Sequence, residues 1–175
     1  MAHSTMTGYD GTGDPHDDDG GYGGWRAVAA RYSLLPLRLF LGATFVYAGI
    51  DKLTDDAFLR ETGVGSIGDL MRNVRDGSAV PSLVDFALGD PVSFGYAIAL
   101  GEVAVGVGAL VGLLTRVAAV GGALISLSLW LTVSWNTTPY YYGNDLVYLV
   151  AWTPLVLAGA AVASLDARVA AARYR

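Results

Sequence analysis

The sequence has no cysteine, two histidines, and charge on only 15% of its 175 residues. Without cysteine there is no disulfide, no zinc–thiolate site, no iron–sulfur cluster and no thiol nucleophile. His3 and His16 both fall within the first 25 residues, so no histidine remains to ligate a haem or serve as a buried base elsewhere. A net charge of −5 argues against nucleic acid as a partner, because phosphate binding requires a basic patch.

What is present is apolar. Hydrophobic residues make up 53% of the chain and the mean hydropathy is +0.44, whereas a soluble domain carries about 25% charged residues. Residues 1–25 are the exception, with seven glycines, the run Asp17, Asp18, Asp19, and no Lys or Arg. That composition predicts a retained, disordered acidic tail lacking the basic and apolar parts of a signal peptide. A His/Asp metal site around His16 is the alternative to a solvated tail, and no metal site is expected in the apolar part.

Four apolar windows follow, each near the roughly 20 residues that a helix needs to cross a bilayer. Residues 32–50 contain one charge, Arg38, and residues 92–115 contain one, Glu102; residues 117–135 and 146–165 contain none. The expected fold is an all-α, four-helix transmembrane up-and-down bundle, with helices at about 32–53, 92–114, 116–135 and 145–165 and a membrane domain spanning 26–165. A basic C-terminal tail covers 166–175. Arg26, Arg31, Arg116, Arg168, Arg173 and Arg175 flank one side of the spans; Lys52, Arg60, Arg72 and Arg75 flank the other. The excess places both termini in the cytoplasm of a multi-pass plasma-membrane protein.

The connection from Thr54 to Asp90 is too long for a plain turn and is expected to be a partly helical, mildly acidic external cap. Ser66 with Asp69 and Ser82 with Asp85 resemble capping boxes, with Ile67, Leu70, Met71 and Val74 on one stripe and Leu83, Phe86 and Leu88 on the next.

Candidate chemistry lies with charges the bilayer tolerates poorly, since an ionised group at its centre costs at least about 2.5 to 3.5 kcal/mol. Glu102 falls near the midplane on a face shared with Gly95, Ala99, Gly106 and Ala109, which lets another helix approach. Arg38, Gly42, Phe45, Gly49 and Lys52 form one stripe on the first helix, which should turn inward. Glu102 can then bond either cation, although Arg38 lies offset by about 10 Å along the membrane normal and can also snorkel to the surface. These groups suit a quinone headgroup site or a proton relay; an ion pair that fixes helix register is the plain alternative.

A second constellation runs from Ser134 to Asp145. Trp135, Asn136, Tyr140, Tyr142, Asn144 and Asp145 could form an aromatic wall with directed polar groups around a planar ring such as a quinone. An interfacial aromatic belt, with Asn144 or Asp145 capping the fourth helix, explains the same residues without a ligand. Pro154 should kink the fourth helix, with Thr153 or a neighbour compensating the freed carbonyl. Gly108 and Gly112 form a weak GxxxG packing signal.

The segments LPLRLFLGATFVYAGIDKL and ALGEVAVGVGALVGLLTR resemble the DoxX/DoxD family of small four-helix membrane proteins. SWNTTPYYYGNDLVYLVAWTPLVLAG is similar to the region characteristic of the DoxD-like small subunit of thiosulfate:quinone oxidoreductase. The resemblance covers Leu34 to Gly159 and implies a link to the respiratory quinone pool, with thiosulfate oxidised to tetrathionate together with a second subunit. Arg38, Lys52, Glu102, Asn144 and Asp145 occupy the family-like positions. The expected function is a quinone-linked oxidoreductase subunit; the alternatives are a non-catalytic scaffold for a redox or oxidative-stress complex and a small proton-coupled carrier.

Overall fold

The computed structural model describes residues 22–160 and 162–166. The glycine- and aspartate-rich residues 1–21, with His3 and His16, and residues 167–175 lie outside the described residues. Every regular element described is helical: α1 (Tyr22–Tyr32), α2 (Leu35–Thr54), α3 (Ile67–Val74), α4 (Pro81–Leu88), α5 (Pro91–Val111), α6 (Thr115–Leu129) and α7 (Asn144–Ala158). Helix therefore begins at Tyr22, inside the stretch whose composition predicts a tail through residue 25.

Three helical segments are long and apolar enough to cross a membrane: 24–54, 91–111 and 115–134. The fourth, α7, has 15 residues and stops at Ala158 instead of continuing to 165. Its C-cap, Gly159, sits at φ +70°, a left-handed value that ends the helix, and its N–H bonds the Leu155 carbonyl. The chain beyond turns back over the bundle end. There the Asp166 carboxylate accepts from the backbone N–H groups of Leu114 and Thr115 at 2.8 and 2.9 Å. It supplies the N-terminal cap that Leu114, at φ +48°, cannot give α6 from its own side chain. These backbone N–H groups hold the Asp166 carboxyl below its ordinary range.

α2 packs on α5 and α7, and α6 packs on the same two helices, so the four close a ring. The α2–α5 seam is the most extensive because small residues line it. A Cβ on Gly49 would come within 2.5 Å of the Ala99 carbonyl, and one on Gly106 within 2.7 Å of the Val46 nitrogen. Arg38, Gly42, Phe45 and Gly49 are buried together on the inner face of α2, as are Gly95, Ala99, Glu102, Gly106 and Ala109 on α5. Gly112 plays no part in a GxxxG seam: it is the left-handed C-cap of α5 at φ +69°.

Leu41, Phe45, Ala109, Ala119, Trp152 and Leu155 form the main core. Phe45 meets Trp152 edge-on at 5.0 Å between ring centroids. Thr153 donates its hydroxyl to the Val150 carbonyl at 2.7 Å, satisfying the group that Pro154 leaves without its helical donor.

Between α2 and α5 lies the cap. Ser66 caps α3, accepting from the Asp69 N–H as its spacing predicts. α4 departs from expectation: Pro81 takes the first helical position, Val80 is the uncapped N-terminal residue in place of Ser82 two residues later, and Ser82 caps nothing. The register of the buried face shifts accordingly. Val84 and Ala87 join Ile67 and Met71 in a second core, while Phe86 is 76% exposed. Arg75 bonds both Asp85 oxygens, at 2.5 and 2.8 Å, and ties the cap helices together. That guanidinium holds the Asp85 carboxyl below the usual carboxylate range.

Candidate functional site

A cavity of about 200 Å³ opens inside the ring, and all four long helices contribute to its wall. α2 supplies Thr44, Phe45, Ala48 and Lys52, and α5 supplies Glu102. Ser126 and Leu129 come from α6, and Asn144, Asp145 and Tyr148 from α7. Lys52 reaches inward from the last turn of α2 and grips both Glu102 oxygens, at 3.0 and 2.8 Å. Its ammonium also contacts its own helix at the Ala48 carbonyl, 3.4 Å away. Glu102 is 3% exposed, and the Lys52 ammonium is the countercharge it meets there.

Asp145 enters from the first turn of α7 and lines the same cavity as Lys52 and Glu102. The Ser134 hydroxyl donates to its Oδ2. Ser134 reaches it from the end of α6, where residues 130–134 widen into a π-helical turn. That turn frees the Leu131 carbonyl, which accepts from Ala79 N–H at 2.8 Å and Ser78 Oγ at 3.1 Å. One local distortion thus positions Ser134 for the site and docks the cap on the bundle. Neither Asn144 nor Asp145 caps α7 with its side chain; Asp145 points its carboxylate at Ser134 and the cavity instead.

Arg38 does not meet Glu102, nor does it snorkel. It is 3% exposed and donates to the Val162 carbonyl at 2.8 Å and the Ala163 carbonyl at 2.7 Å. The early end of α7 brings these acceptors within reach, a rearrangement that hydropathy alone does not signal.

Trp135, Asn136, Tyr140 and Tyr142 lie outside the cavity wall. Trp135 packs against Trp130 at 5.2 Å, and Asn136 lies against Gly77 of the cap. Tyr140, Tyr141 and Tyr142 stack edge-on in succession and are 60% to 71% exposed. Conversely, Thr44, Ser126 and Tyr148 line the cavity although sequence reasoning did not single them out. For two of them a signal was available: Thr44 precedes Lys52 by two steps of four residues through Ala48, and Tyr148 follows Asn144 by one turn, whereas nothing in the sequence marks Ser126.

The match to known families is decisive at this point, because the DoxX family model covers residues 33–135, from before α2 to the end of the π-helical turn. The chain belongs to the DoxX family. Lys52, Glu102 and Ser134 fall inside the matched DoxX region; Asn144, Asp145 and Tyr148 lie beyond it on α7. Neither the curated proteins nor the solved structures compared with the chain give a match. Family and helices together make this an integral membrane protein in contact with the lipid bilayer.

Proposed function

We propose that this DoxX protein is a quinone-linked oxidoreductase subunit of the plasma membrane, and that the Lys52–Glu102–Asp145 cavity receives the quinone headgroup and its protons. The observation that carries the reading is a polar, ionisable cavity enclosed by four apolar helices, with one cation facing two carboxylates. Such groups inside a membrane commonly mark proton or substrate paths.

At about 200 Å³ the cavity suits a single ring or small anion, since drug-sized ligands take roughly 300 Å³ or more. A headgroup would enter while its tail stayed in lipid. Tyr148 and Phe45, with ring centroids 5.9 Å apart, offer it an aromatic wall. Reduction of a quinone takes up two electrons and two protons, and oxidation of two thiosulfate ions to tetrathionate supplies the electrons as the S–S bond forms. Lys52 holds Glu102 in the cavity, where this carboxyl passes protons to the ring, and Asp145, its orientation fixed by Ser134, extends the relay. Electrons arrive directly or through a second subunit, since the chain has no thiol. In this reading α7 completes a fourth crossing and both termini face the cytoplasm, consistent with the basic residues at the α1 end.

Thiosulfate-dependent quinone reduction in host membranes tests this. Glu102→Gln at normal expression should lower turnover by about 10²-fold or more, the scale of a lost general acid–base group. Unchanged turnover would reduce Glu102 to a packing role, and membranes without any thiosulfate-dependent reduction would remove the donor assignment. An open, largely apolar groove along Phe86, Phe94 and Ala97, with Phe86 76% exposed, supports a second reading, a scaffold that docks a redox enzyme at the cap. Cross-linking at the cap with no quinone in the purified protein would favour it.

A further inference from the structure

At the opposite end of the bundle, a separate cavity of about 190 Å³ lies where α1, the start of α2 and the end of α7 meet. Its wall is largely apolar, including Leu34, Leu35, Leu155 and Val162. Two cations interrupt it: Arg38 in the wall and Arg31, exposed, from the last turn of α1.

Arg38 is the unusual group. Its two bonds are to neutral carbonyl oxygens, its buried Nε has no partner, and among the described residues no carboxylate pairs with it. A guanidinium offers five donors and a permanent charge. Carbonyl dipoles satisfy part of the first and none of the second, and an uncompensated buried charge is costly.

The helix leading in adds direction. α1 carries Trp25, Val28 and Tyr32, all exposed, at spacings of three and four, with Arg26 stacked over Trp25 at 5.6 Å. An exposed apolar stripe beside arginines is the pattern of a helix at a lipid surface. α1 and α2 together occupy a 31-residue segment, about 46 Å at 1.5 Å per residue against a hydrocarbon core of about 30 Å, so α1 falls at the headgroup level.

We infer that this cavity binds a phosphate oxyanion, held by Arg38 with Arg31 at the mouth. The apolar wall and the interfacial helix favour an anionic phospholipid as its source over soluble phosphate. Basic pockets between helices at a membrane surface take such headgroups.

The test uses the full chain in phosphatidylcholine nanodiscs, with or without phosphatidylglycerol, or with inorganic phosphate in the buffer. The readouts are the thermal midpoint and lipid retention by native mass spectrometry. Phosphatidylglycerol should raise the midpoint and be retained. Arg31→Gln, an exposed change that leaves packing intact, should weaken retention about fivefold, the effect of one surface arginine. Arg38→Lys should keep the fold while losing more, because the fork geometry is gone. Protection by inorganic phosphate alone would assign the site to a soluble oxyanion in place of a lipid. Protection by neither, or phosphatidylglycerol protection unchanged in both variants, would overturn the inference.

Discussion

A methyl group on Gly122 would run into the indole of Trp152, which is fully buried with its Nε1 unpartnered. The glycine on α6 is therefore what lets the largest core side chain of α7 lie flat against its neighbour. Gly122→Ala should destabilise the protein by about 1–3 kcal/mol, the usual cost of overpacking, as read from thermal unfolding in detergent. Trp152→Phe should recover part of that loss in the double variant, and strictly additive effects would show that the two residues do not share the space. The candidate site follows similar close-range rules. Lys52 and Glu102 were legible as an inward pair because lipid rejects both, but the choice of Lys52 over Arg38 as partner was not. Reach decided it: the shortened α7 offers Arg38 two carbonyls, which hydropathy windows do not register.

The helices whose ends carry their own signals were the ones the sequence placed well. Asp90 caps α5, accepting from Ser93 N–H at 3.1 Å, and Gly112 ends that helix, so its span was nearly correct from composition alone. The start of α6 was placed as well, at about 116 against Thr115, although its N-terminal cap arrives from Asp166, 51 residues away from Thr115, which no local pattern encodes. Asp166→Ala should lower stability by about 1 kcal/mol, the ordinary worth of a cap, and Asp166→Asn by less. The same carboxyl predicts a pH dependence. Its folded value is lowered, so its stabilisation is present above the ordinary 3.8 and is lost as pH falls through the folded value below that. Asp85, held down by Arg75, behaves alike in the cap. Hydrogen exchange should show the α4 segment opening on acidification below the ordinary carboxylate value, and Asp85→Asn should abolish the change. The exposed setting of that pair keeps its effect small at neutral pH. α4 itself was misregistered because Pro81, a stronger helix starter than Ser82, sets where the turn begins.

For the whole molecule, the chain's lack of cysteine is an experimental asset: single cysteines report on topology with no background. In the proposed topology, Ser33→Cys, beside the α1 end, should be labelled by an impermeant maleimide only from the cytoplasmic side. Thr138→Cys, in the exposed aromatic segment, should be labelled only from outside. Labelling of both from one side would refute the four-crossing topology. The all-helical plan, with three helices long and apolar enough to cross a membrane, was readable because apolar length is a coarse property. The short helices of the cap were readable from local patterns as well, whereas the docking of the cap on the Leu131 carbonyl and the folded-back C-terminal segment depend on contacts between distant residues and were not.

With α7 as the proposed fourth crossing, its brevity has a mechanical consequence for the membrane itself. Fifteen residues reach about 22 Å, well short of a hydrocarbon core of about 30 Å. A bilayer resists exposing its acyl chains to water, so it must dimple inward along this side of the protein, at a cost of a fraction of a kcal/mol for each Å of mismatch. The protein would accordingly sit with least elastic strain in a thin bilayer, and lengthening the acyl chains of reconstituted lipid should progressively lower its thermal midpoint, with no optimum at the thick end.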